Sequence, residues 1–110
     1  MDISLSDHGP ISVLGVEASR IDAASAIRFK DLVREVTPKR SETVVLDLSK
    51  VDFIDSSGLG AIVAVMKMLA PDIRLELCGM GATVAKVFSL TRMDQVFTIH
   101  KNIADALVNT

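Results

Sequence analysis

Ile3 and Leu5 alternate with Ser4 and Ser6, and after Asp7-His8-Gly9-Pro10 the alternation resumes at Ile11-Ser12-Val13. A period of two sends successive side chains to opposite faces of a strand. The stretch therefore predicts a hairpin that turns at Asp7-His8-Gly9-Pro10, its second strand ending near Gly15 or Val16. The period then changes. Ala26, Phe29, Val33 and Val36 recur at spacings of three and four, while Arg28, Lys30, Asp31 and Glu35 fall on the other faces. That pattern predicts an amphipathic helix from Ala23 to about Val36, with Asp22 as its N-cap and Thr37-Pro38-Lys39-Arg40 ending it. Val44 to Leu48 reads as a third strand, with Val44, Leu46 and Leu48 facing one way and Val45 and Asp47 the other. Ile73, Leu75 and Leu77 alternate with Arg74, Glu76 and Cys78, which predicts a fourth strand with one buried face. Gly79-Met80-Gly81 is a turn, and a helix follows from about Thr83 to Thr91 on a stripe of Val84, Val87 and Phe88. Val96 to Ile99 gives a short fifth strand, and Asn102 caps a last helix carrying Ile103, Ala106 and Leu107.

The predicted order is β-β-α-β-α-β-α-(β)-α. Strands joined through helices form right-handed parallel units, and the opening hairpin makes the sheet mixed. Several strands alternate apolar with polar residues, whereas a sheet covered on both faces tends towards continuous apolar runs. The expected fold is therefore α/β: one domain over residues 1–110, with a mixed four- to five-stranded sheet and about four helices, mostly on one face.

The segment from Val44 to Gly60 organises this pattern. An apolar, β-branched run stops at Asp55-Ser56-Ser57-Gly58, and a long apolar segment continues from Leu59 to the residue before Pro71. This reads as strand, sharp turn and helix, with a carboxylate and two hydroxyls at the helix N-terminus, where unpaired N–H groups and the helix dipole favour anions and caps. Ser57 is well placed as a structural N-cap, yet two adjacent hydroxyls exceed what one cap needs. Gly58 removes a side chain beside them, which would let another protein's active site approach the backbone. An exposed Ser56 could take a phosphate, adding about −1.5 to −2 charges at pH 7. A partner surface fitted to a neutral hydroxyl would lose affinity, since like-charge contact at an interface costs several kcal/mol. On the helix, Leu59, Ile62, Val63, Met66 and Leu69 are expected to face the core, leaving Ala61, Val65 and Met68 on another face. An all-round apolar helix is usually interior, and an exposed part of it would mark a contact surface.

Composition narrows the function classes. The chain has 110 residues, of which 49% are hydrophobic, enough for one core, and its net charge of −2 is spread along the sequence. No basic patch suited to nucleic acid stands out. Cys78 is the single cysteine, Met1-Asp2-Ile3-Ser4 does not resemble a signal peptide, and the longest apolar run is broken by Lys67. These features read as a small cytoplasmic domain without membrane insertion. No cofactor or metal is indicated. Asp47, Asp52 and Asp55 invite comparison with a Mg²⁺ or phosphoaspartate site, but only the single Asp7 follows the first strand, where a receiver needs a pair of acids. Hydrolytic chemistry at Ser56 needs a base. His8 and His100 read as surface residues, and the Gly-x-Ser-x-Gly elbow is missing. No catalytic residue is therefore assigned. Ser57-Gly58-Leu59-Gly60 matches neither nucleotide-binding glycine loop.

Asp52-Phe53-Ile54-Asp55-Ser56-Ser57-Gly58-Leu59-Gly60 resembles the signature of STAS domains, specifically the bacterial anti-sigma-factor antagonists. The resemblance extends to Arg20-Ile21-Asp22-Ala23-Ala24-Ser25-Ala26 and to Val84-Ala85-Lys86-Val87-Phe88-Ser89-Leu90-Thr91-Arg92-Met93, and so covers nearly the whole chain. It implies phosphorylation at Ser56, the first serine of the pair, by a partner that is both anti-sigma factor and serine kinase of the GHKL ATPase type. The unphosphorylated domain would bind that kinase and free a sigma factor, phosphorylation would release the kinase, and a metal-dependent serine phosphatase would reset the switch. Partner binding would fall on Asp22, Asp55, Ser56, Ser57, Gly58, Leu59 and Ala61, on a monomer or weak dimer. The chain departs from many members before Asp22: they read Gly-Glu-Leu-Asp, whereas here Gly15 stands seven residues before the aspartate. The alternative is a STAS subunit docked permanently on a lipid-transport ATPase, without phosphate control.

Overall fold

The computed structural model describes residues 1–108. Its elements are β1 (Asp2–His8), β2 (Ile11–Glu17), β3 (Arg20–Ile21), α1 (Ala26–Val36), β4 (Thr43–Asp47), β5 (Phe53–Ile54), α2 (Ser56–Leu69), β6 (Arg74–Cys78), α3 (Ala82–Leu90), a 3₁₀ turn (Met93–Gln95), β7 (Thr98–His100) and α4 (Ile103–Val108). The main sheet runs β1-β2-β4-β6-β7. The β1–β2 hairpin is antiparallel and every later pairing is parallel. The expected mixed sheet with four helices is therefore what forms. Two further strands, β3 and β5, pair only with each other as a short parallel ribbon beside it.

Alternation along β4 divides the core in two. Val44, Leu46 and Leu48 join the large cluster, with Phe29 and Val33 of α1, Ile62 and Val65 of α2, and Val84 and Phe88 of α3. Val45 points the other way, into a small cluster with Val13, Cys78 and Ala106 of α4. Three helices thus cover one face, and the short α4 covers part of the other. Asn102 starts α4 as expected, its side-chain oxygen accepting the Asp105 N–H at 2.8 Å.

Several expectations need correction. α1 begins at Ala26 with Ser25 at its N-cap, three residues later than expected. Residues 22–25 form a tight turn instead, because the Asp22 side chain bonds back to Ser25. The β6 strand is buried on both faces, not one: Glu76 is 2% exposed and Cys78 fully buried, since Ala106 of α4 packs with Cys78 and the His100 side chain bonds Glu76. His100 is no surface residue, because its side chain is only 9% exposed and bonds Glu76 at 2.7 Å. The stripe of α2 is rotated from the expected one: Gly58, Ala61, Ile62, Val65 and Leu69 are buried. Leu59, Val63, Met66 and Met68 are only partly covered. A helix this apolar lacks the polar face that would have fixed its rotation in the sequence.

Candidate functional site

Beyond β4 the chain turns at Leu48, whose N–H reaches the Cys78 carbonyl at 2.9 Å, and runs through β5 into α2. The ribbon aligns Arg20 with Phe53 and Ile21 with Ile54. Three more backbone bonds tie it down: the Asp52 and Phe53 N–H groups reach Ser19 O at 2.7 and 3.2 Å, and the Asp55 N–H reaches Ile21 O at 3.4 Å. These pairings bring the loop before α1 against the start of α2, so residues about 30 positions apart meet in one surface.

Asp55 joins the two loops. One carboxylate oxygen accepts the Gly58 N–H at 2.8 Å and caps α2. The other accepts the Ala23 N–H at 3.2 Å, across the ribbon. Asp55, and not Ser57, is thus the N-cap. Asp55 stands two residues before Ser57, just outside the helix, where the extended backbone aims an oxygen at the third N–H. Ser56 and Ser57 are both exposed. Neither hydroxyl has a hydrogen-bond partner among the described residues.

Gly58 is buried, and what its missing side chain admits is this chain's own backbone. A Cβ there would overlap the Ile21 carbonyl oxygen and lie 2.7 Å from the Ile21 carbonyl carbon and 2.9 Å from Ile54 Cγ1. Ala61 is 4% exposed. Gly58 and Ala61 therefore shape the site from within and present no side chain to a visitor, while Leu59 is partly exposed.

Asp22 lies in the facing loop but is not the cap of α1. Its Oδ2 accepts from Arg20 Nε at 3.1 Å, and its Oδ1 accepts the Ser25 N–H and hydroxyl, each at 3.2 Å. The Asp22 N–H is returned to Ser25 Oγ at 3.1 Å. The Arg20 guanidinium, then the Ser25 bonds, hold the Asp22 carboxyl below its ordinary value of 3.8. Arg20 also lies over the Phe53 ring, 4.1 Å from guanidinium carbon to centroid. The sequence pattern left this pair unremarked, since a two-residue strand has no periodicity to detect.

His8 bonds Ser6 and His100 bonds Glu76, so neither histidine is engaged with Ser56. Among the described residues no group of three or more His, Cys, Asp or Glu side chains converges as a metal site, and no helix is long and apolar enough to cross a membrane. Burial, and then the nearby Asp47 carboxylate, push the Cys78 thiol up to about 12.

Comparisons with known proteins bear on the chain as a whole. The STAS domain profile matches residues 3–106. The anti-sigma-F factor antagonist RsfB of Mycobacterium tuberculosis is 25% identical over 96% of this chain and 85% of its own length. The anti-sigma-B factor antagonist of Listeria monocytogenes is 31% identical over 88% of this chain and 82% of its own. A crystal structure of an anti-sigma factor antagonist from Mycobacterium paratuberculosis superposes with a TM-score of 0.85 at 26% identity, over 97% of this chain and 91% of that one. With its sheet order, the Asp-Ser-Ser-Gly turn and these relatives, the chain belongs to the STAS domain family, alongside the anti-sigma-factor antagonists.

Proposed function

We propose that this protein is a phosphorylation-controlled antagonist of an anti-sigma factor. Unphosphorylated, it binds a GHKL-type anti-sigma factor that is also a serine kinase, freeing the sigma factor or other target. A phosphate on Ser56 ends the complex, and a metal-dependent serine phosphatase restores it. The domain itself is a binding module of the cytoplasm and catalyses nothing. Asp22, Asp55, Ser57 and Leu59 shape the docking surface, with Gly58 and Ala61 as its internal support.

The observation that carries this reading is the division of labour at the head of α2. Asp55 takes the capping role, so the Ser56 hydroxyl is left exposed with no structural bond to lose. A kinase can reach it without unfolding the turn. The N-terminal end of a helix accommodates the new dianion, so the protein's own fold survives the modification. The docked partner does not fare as well: a surface closed over a neutral hydroxyl meets two negative charges beside the Asp55 carboxylate.

Mixing the protein with a candidate kinase and ATP, mapping phosphate by mass spectrometry and measuring affinity for three forms tests the reading. Ser56→Ala is expected to bind like wild type and to remain unphosphorylated. Ser56→Asp is expected to bind at least about tenfold more weakly, roughly 1.4 kcal/mol. Equal affinity of all three forms would instead support permanent docking on a transporter ATPase.

A further inference from the structure

We propose that Arg20 and Phe53 form a second anchor of the Ser56 docking surface, Arg20 taking a carboxylate of the docked protein and the Phe53 ring an apolar side chain next to it. The inference rests on the reading of Ser56 given above and extends that surface along the ribbon.

The chain has four phenylalanines. Phe29 and Phe88 are completely buried and Phe97 is 5% exposed, whereas Phe53 is 37% exposed. It is thus the one phenylalanine that the core does not take up. Its place follows from register: Phe53 opens β5, two residues before Asp55, and lies opposite Arg20 on β3. Arg20 is well exposed, at 58% of its side chain, yet it is not loose. The ring below and the Asp22 carboxylate beside it, bound through Nε, hold the guanidinium in one orientation. Its two terminal nitrogens have no partner among the described residues.

Those free nitrogens form the edge of the guanidinium that pairs a carboxylate through two parallel bonds. Because stacking and the Asp22 bond already fix the side chain, little rotamer entropy is left to lose on binding. Arginine and aromatic side chains are the types enriched where interfaces concentrate their energy. The surrounding turn also carries Asp22, Asp52 and Asp55, so a partner carboxylate is repelled elsewhere on it and is accepted only at the free edge of Arg20.

The probe is the anti-sigma factor that wild-type protein binds in the mixing experiment, with Arg20→Ala, Arg20→Lys, Phe53→Ala and Phe53→Leu as variants and melting curves as the folding control. Arg20→Ala and Phe53→Ala are expected to bind about tenfold more weakly with only a small drop in melting temperature, since Arg20 forms an exposed ion pair, and Arg20→Ala is expected to flatten the salt dependence of the association rate. Arg20→Lys keeps the charge without the planar fork and is expected to recover only part of the loss. Should Phe53→Ala melt early, Phe53→Leu, which keeps apolar bulk but removes the cation–ring contact, provides the reading. Wild-type affinity of the Arg20 and Phe53 variants, with Ser56→Asp still weakened, overturns this inference and leaves the Ser56 reading standing. Loss at Arg20 with no effect of Ser56→Asp keeps the anchor and overturns the phosphate switch. A wild type that binds no such kinase overturns both.

Discussion

At the scale of single residues, Asp55 and Gly58 are structural conditions for Ser56 to be free. Asp55 serves α2 with one oxygen and the Ala23 N–H with the other. Asp55→Ala is expected to lower unfolding free energy by about 1–2 kcal/mol, the usual worth of a cap, in urea denaturation. Asp55→Asn, which keeps an acceptor oxygen for Gly58, should lose less. Gly58 acts through contact and not through flexibility. Its Cβ position is occupied by the Ile21 carbonyl, so Gly58→Ala must push β3 away from α2. A loss of about 3 kcal/mol or more is expected in the same assay. Ser57→Ala, by contrast, removes a hydroxyl with no partner and should change stability by less than about 0.5 kcal/mol. A large loss there would return the cap to Ser57.

At the scale of elements, legibility followed periodicity. The hairpin, β4, α3 and α4 repeat every two residues or every three to four, and each formed within a few residues of its expected place. The short ribbon strands β3 and β5 contain two residues each and carry no period. Hence the sequence placed Asp22 at a helix cap, while the structure uses it as the brace of a turn held by Arg20 and Ser25. The Ser56 turn itself was readable, because a β-branched run stops there at a cluster of turn and capping residues. Which of those residues caps was not readable, since aspartate and serine are both good caps and only backbone direction decides between them. The same limit applies at β6, where alternation suggested a solvent face but Glu76 is buried against His100 and Arg74 at 2.7 and 2.8 Å. Breaking that arrangement tests it. Glu76→Ala is expected to cost about 1–3 kcal/mol, because it leaves the largely buried His100 ring nitrogen without its partner. Arg74→Ala should cost less than about 1 kcal/mol, since Arg74 is 65% exposed and its charge is largely solvated. Equal losses would mean that Arg74, and not His100, carries the burial of Glu76.

At the scale of the molecule, the sheet separates two kinds of surface. One face is sealed by α1, α2 and α3, and the Ser56 turn projects where β5 leaves for α2. Ion pairs sit at the periphery: Asp7 with Arg40, Glu17 with Lys50 and Asp22 with Arg20. In each case the hydrogen bond from the basic partner holds the acid below its ordinary value, 3.8 for Asp7 and Asp22 and 4.5 for Glu17. A depressed folded-state value stabilises the fold above the ordinary one and gives nothing once pH has fallen through the depressed one. The melting temperature is therefore expected to be flat from pH 7 to about 5 and to fall below about pH 4. High salt should shrink the drop, because these groups are exposed and screened. A fall beginning near pH 6 would contradict the assignment to these acids. None of these pairs involves the Ser56 hydroxyl, so the proposed switch and the general stability are expected to be separable. The most direct measurement is the affinity of the anti-sigma factor for protein carrying phosphoserine at position 56, set against the unphosphorylated protein, by calorimetry. Binding at least about tenfold weaker for the phosphorylated form, with melting unchanged, is the expected result; equal or tighter binding contradicts the switch.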